Sequence, residues 1–90
     1  MDETPDGIPL DNRRRRLLFR ANHRGTREND LLVGGFVSAR IAAFTEDEIT
    51  TLEAILDLPD PLLGDWLTGR APVPAAHDVP LLHAMRNFFA

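Results

Sequence analysis

Apolar positions recur at helical spacing along most of the chain. Leu10, Leu17, Leu18 and Ala21 fall on one side of a 3.6-residue repeat, with Arg13, Arg16, Arg20 and Arg24 in an adjoining stripe. This pattern predicts a first helix that starts near Leu10 to Asn12, with Asp11 or Asn12 as its N-cap, and runs to about Arg24, where Gly25 ends it. Thr26 then caps a second helix, with Glu28 and Asp30 in the first turn, where the helix dipole favours acids. Leu31, Leu32, Phe36, Val37, Ile41 and Phe44 form its expected apolar stripe. Gly34 and Gly35 inside it cost roughly 1 kcal/mol each relative to alanine, so a kink or a close approach of another helix is expected there.

The third helix carries the clearest start signal. Thr45-Glu46-Asp47-Glu48 is a capping box, and Phe44 before the cap can meet Ile49 as a hydrophobic staple. Ile49, Leu52, Ile55 and Leu56 supply its buried face until Pro59 stops it. Asp60 as N-cap and Pro61 in the first turn restart a short helix to Leu67 or Thr68, closed by Gly69. A Pro-containing linker from Ala71 to His77 leads to a last helix from Asp78 or Val79 to Phe88, with Leu81, Leu82, Met85, Phe88 and Phe89 as its apolar residues. No stretch alternates as a strand would, so the fold class is all-α: a small single-domain bundle of about five helices over residues 10–90, preceded by a flexible acidic tail over residues 1–9.

Composition narrows the class. Ninety residues make one domain at most, and a domain of that size hides only about 60 to 65% of its chain surface, which leaves no room for a deep pocket. The chain has no Cys, hence no disulfide, thiolate nucleophile or cysteine-held metal centre. No apolar run approaches the roughly 18 residues of a membrane-spanning helix, and the acids near the start are wrong for a leader, so a bacterial cytoplasmic protein is expected. Charge is uneven. Residues 13–40 carry eight Arg against Glu28 and Asp30, whereas residues 41–90 carry two Arg against eight acids. The basic third suggests either a polar or acidic partner or a solvated helix face.

Candidate chemistry is sparse. His23, His77 and His83 share no metal-ligand spacing, and no metal site is expected. No phosphate loop, nucleophile elbow or His-carboxylate constellation is present, so nothing points to an enzyme. Trp66, with Leu62, Leu63 and Leu67, is expected in the core. What stands out is His23-Arg24-Gly25-Thr26-Arg27-Glu28, an Arg-Gly-x-x-Glu signature at the junction of the first two helices. Glycine there can adopt the left-handed conformation that ends a helix, and it lets another surface approach the backbone.

Taken with Arg15-Arg16-Leu17-Leu18-Phe19-Arg20, the capping box at Thr45, Asp60-Pro61-Leu62 and Trp66-Leu67, this signature resembles the SdhE family of succinate dehydrogenase assembly factors from about Arg13 to Phe89. The resemblance implies a five-helix protein without catalytic residues or a tightly bound cofactor of its own. Such a protein binds the flavoprotein subunit of succinate dehydrogenase, fumarate reductase or both, and promotes covalent attachment of FAD there. It implies that the flavoprotein's own histidine attacks the flavin and that the factor holds the subunit in a competent arrangement, as a monomer when free. By the family's motif, Arg24, Gly25 and Glu28 face the flavoprotein, with Arg20, Arg27 and Asp30 as neighbours on the same surface. Arg24 is expected to make forked bonds to carboxylate or carbonyl oxygens. Asn22 and the Gly34-Gly35 pair depart from the family pattern, which bears on packing rather than on the motif. The alternative is a small nucleic-acid-binding or antitoxin-like regulatory protein using the Arg-rich first helix. Against nucleic acid stand a pI of about 5.2 and the acids that open the second helix.

Overall fold

The computed structural model describes residues 10–88; the expected acidic tail and Phe89 lie outside them. Five α-helices follow one another: α1 (Asn12–Asn22), α2 (Arg27–Arg40), α3 (Glu46–Leu56), α4 (Asp60–Leu67) and α5 (Pro80–Asn87). Single 3-10 turns lie at Ile41–Ala43 and Ala75–His77, and no strand occurs among the described residues.

The helix starts are local. Asp11 caps α1 by accepting the Arg14 N–H at 2.8 Å, which holds its carboxyl below the usual range. The capping box of α3 is complete in both directions: Thr45 Oγ1 accepts from the Glu48 N–H, and Glu48 Oε1 accepts from the Thr45 N–H. The α4 start departs from expectation. Asp60 is its first residue rather than its cap, Pro59 stands at the cap without a side-chain bond, and the Asp60 carboxylate is engaged elsewhere.

The core forms where the inner faces of all five helices meet. Leu17, Leu18 and Ala21 of α1, the whole expected face of α3, and Leu81, Leu82 and Met85 of α5 are buried. Trp66 is only 2% exposed. Phe36 meets Phe44 at 5.9 Å and the edge of Phe88 at 5.6 Å between ring centroids. The expected apolar stripe that begins in α2 is buried at Phe36, Val37, Ile41 and Phe44 but fails at its start. Leu31 is 61% exposed, and Val33, which the stripe omitted, is fully buried beside Phe36 and Val37. The buried polar Asn29 explains the error: it occupies the inward position one turn before Val33 and sets a face that apolar counting does not register.

Gly34 is the site of close helix approach. A Cβ there would stand 3.1 Å from the Ala21 carbonyl oxygen and inside the van der Waals surface of Asn22 Oδ1. Asn22 is held in place by donating to the Leu18 carbonyl at 2.9 Å and to Ser38 Oγ at 3.3 Å. Asn22 and Gly34 are therefore one packing unit, a polar side chain laid into a glycine notch. Gly34→Ala should destabilise the protein by about 1 to 3 kcal/mol, against its helix-propensity gain of about 1 kcal/mol. Thermal denaturation followed by circular dichroism measures this, and an unchanged or raised midpoint would contradict the notch.

The uneven charge is answered largely within the chain. Arg13 of α1 donates to Glu53 of α3 at 2.6 and 2.9 Å and to Thr50 at 3.0 Å. That hydrogen bonding holds the Glu53 carboxyl below its ordinary range and raises the Arg13 guanidinium. Arg20 reaches Asp57 at 2.6 Å, and Arg14 reaches Glu46 at 3.1 Å and the Phe44 carbonyl at 2.5 Å. Arginines of α1 thus lie along the acidic flank of α3, joining residues 32 to 40 positions apart in the chain.

Candidate functional site

The α1–α2 junction is built around Gly25. Its φ of 104° lies in the left-handed region that side-chain-bearing residues rarely adopt. On the α2 side, Thr26 Oγ1 accepts the Asn29 N–H at 3.2 Å. On the α1 side, the Arg24 N–H donates to Asp30 Oδ1 at 2.5 Å. Asp30, expected to face a partner, therefore ties the turn to α2 by its side chain. Asn29 is 4% exposed; its Nδ2 donates to the Asp60 carbonyl at 3.0 Å. Its side chain also fills the space over Gly64, where a Cβ would meet Asn29 Oδ1 at 3.1 Å.

The Arg24 side chain is 8% exposed and points into the protein. Nε donates to Asp60 Oδ1 at 2.7 Å, Nη2 to the Leu58 carbonyl at 2.7 Å and Nη1 to the Leu56 carbonyl. The forked bonds expected of it are made, but to its own chain. The carbonyls it reaches lie at and just beyond the end of α3, where backbone oxygens have no helical partner. Arg24 therefore fastens the turn onto the α3–α4 loop.

The other expected residues divide around that fastening. Arg20, Gly25, Arg27 and Glu28 are exposed, and Arg27 has no ion pair among the described residues. Glu28 forms an exposed ion pair with Arg70 at 3.9 Å, beyond hydrogen-bond range, so its carboxylate is only loosely held. Two open grooves flank the fastening, and Asp60 borders both. One, of about 390 Å³, runs between Phe19, Arg20 and His23 on α1 and Leu58 and Pro59 on the loop. The other, of about 280 Å³, lies between Glu28 of α2 and Pro61, Gly64 and Arg70. Phe19 is 63% exposed and stacks on His23 with ring centroids 4.0 Å apart, while His23 Nδ1 donates to the Phe19 carbonyl at 2.7 Å. The junction thus presents an aromatic pair, a glycine turn, a loosely paired carboxylate at Glu28 and the guanidinium of Arg27, unpaired among the described residues. This chemistry suits the surface of a macromolecule better than an enclosed small molecule. No group of three or more His, Asp or Glu that could hold a metal ion occurs among the described residues.

Residues 15–89 match the family described as "Flavinator of succinate dehydrogenase", which takes in the turn, both grooves, most of α1 and all of α2 to α5. The chain belongs to this family. It is 54% identical over 82 residues to the FAD assembly factor SdhE of Acetobacter pasteurianus, covering 88% of this chain and 75% of that one. It is 32% identical over 74 residues to the mitochondrial succinate dehydrogenase assembly factor 2 of Dictyostelium discoideum, covering 82% of this chain and 52% of that one. It is 36% identical over 69 residues to the protein of the same name from Arabidopsis thaliana, covering 73% and 37%. The chain thus spans three quarters of the bacterial relative and about half or less of the two mitochondrial ones. No solved structure matches it.

Within the flavinator family fold seen here, Asp60, Asn29 and Gly64 belong to the site, although only Asp60 was prominent in the sequence, and then as a presumed helix cap. No helix among the described residues is long and apolar enough to cross a membrane.

Proposed function

We propose that this protein binds the flavoprotein subunit of succinate dehydrogenase and promotes covalent attachment of FAD to it, with the Gly25–Glu28 edge facing the client. The family match supports the activity. The observation that carries the site is that Arg24 is fully engaged within its own chain while Glu28, two residues beyond the rigid turn, is exposed and held only by a loose ion pair to Arg70 at 3.9 Å. The protein supplies position rather than reacting groups: holding a client's nucleophile and flavin in a competent arrangement can remove several kcal/mol of barrier without chemistry from the holder. It works as a monomer, with the fumarate reductase flavoprotein as a second client of the same edge. Nucleic-acid binding loses support, because Arg13, Arg14, Arg20 and Arg24 are engaged with carboxylates or carbonyls of this chain.

The test is the covalent flavin fluorescence of the host's succinate dehydrogenase flavoprotein subunit on a denaturing gel. Deleting the gene should dim the band. Restoring it as Glu28→Ala should leave it dim although the variant melts like the parent, since an exposed substitution away from caps and core changes stability by only about 0.5 kcal/mol. A bright band in the deletion strain would remove the function. A band fully restored by Glu28→Ala would remove that residue from the edge.

A further inference from the structure

Asp60 is placed to control the partner-facing edge from beneath, an inference that rests on the function proposed above. Its Oδ1 accepts from Arg24 Nε at 2.7 Å, and its Oδ2 lies 3.7 Å from where a Gly25 Cβ would stand, so the carboxylate sits directly under the turn. Its backbone carbonyl accepts from the buried Asn29, in the first turn of α2. One residue is thereby joined through its side chain to the end of the α1–α2 turn and through its main chain to the helix that carries Glu28. Nor does the carboxylate cap its own helix: α4 starts at Asp60 without any side-chain cap bond. An acid at that position ordinarily supports its own helix start; here it also reaches across to Arg24, 36 residues earlier. Both grooves end on it.

We propose that Asp60 is a positioning residue: it sets, through Arg24 and Asn29, the placement of the Gly25–Glu28 edge relative to the Leu58–Pro59 loop, so that the two meet the flavoprotein as one rigid surface. What this demands of Asp60 is the location of its oxygen, more than its charge. Asparagine keeps an oxygen at the same reach; glutamate keeps the charge but carries the carboxylate one methylene further, displacing the turn.

The experiment measures affinity of the purified full chain for the purified flavoprotein subunit by calorimetry, for the parent, Asp60→Asn and Asp60→Glu, each confirmed folded by its melting curve. Asp60→Asn should lose no more than about threefold, and Asp60→Glu at least about tenfold, because forcing an extra methylene into a packed contact shifts the groups around it. A direct electrostatic contact between Asp60 and the client would give the opposite order, with Glu tolerated and Asn damaging. That order, equal losses, or parent-like binding by both variants overturns the assignment of Asp60 while leaving the proposed function standing. A parent chain that does not bind the flavoprotein at all overturns the function and this inference with it.

Discussion

Gly25→Arg is expected to reduce covalent flavinylation to the level of the deletion strain while leaving a folded helical protein. The native φ of 104° is a conformation that any L side chain adopts under strain, at about 1 to 3 kcal/mol. A chain of this length is expected to have roughly 5 to 13 kcal/mol of stability, so the fold survives with a melting point lower by roughly 5 to 20 °C. The larger injury is local. The new side chain would project from an exposed turn that lies over the Asp60 carboxylate, placing bulk on the edge proposed to meet the client and a second guanidinium beside Arg24. Gly25→Ala separates the two effects, since it shares the backbone strain and adds only a methyl group in open contact range of Asp60. It should melt like the Arg variant yet flavinylate better. Parent-level flavin fluorescence with Gly25→Arg would place the turn outside the interface.

Arg24→Ala should act on the other side of the same structure, as the most destabilising change in the motif. Removing the guanidinium leaves the Leu56 and Leu58 carbonyls without their side-chain partner and Asp60 without its counter-charge. Breaking a buried ion pair from one side costs about 3 to 5 kcal/mol. Asp60 retains 23% exposure and can recover some hydration, which puts the expected loss near the lower end, about 3 kcal/mol, or roughly 12 to 24 °C in melting temperature. Urea unfolding of the purified variant gives the number directly. A loss under about 1 kcal/mol, the net worth of a single ordinary hydrogen bond, would show that the three bonds do not hold the turn. On the proposed function, loss of activity in an Arg24 variant would report a displaced turn, whereas loss in a Glu28 variant would report the contact itself.

Local features were legible in the sequence and long-range ones were not. The Thr45 capping box, the Asp11 cap and the buried faces of α1 and α3 follow from neighbours within four residues and stand as the pattern predicts, as do Leu81, Leu82 and Met85 of α5; Gly25 takes the expected left-handed conformation, but α1 already ends at Asn22 with His23 as its cap. The position of the signature at a helix junction was equally readable. What the sequence did not disclose is the direction of Arg24, because its partners lie 32 to 36 residues further on and a last-turn arginine looks the same whether it points out or in. The same limit hid the joint use of Asp60 by turn and helix, and the pairing of Asn29 with Gly64. Leu31 and Val33 were misplaced because one buried amide counted as polar shifts the inferred face by part of a turn.

The enclosed indole of Trp66 makes the integrity of the fold a spectroscopic quantity. It is the only tryptophan of the chain, sealed in the core with the His77 ring 5.2 Å away, and it lines neither groove beside the turn. Its emission therefore reports unfolding without a label and is insulated from direct contact at the client edge, so a single fluorescence trace can separate a variant that has lost its shape from one that has lost only its grip.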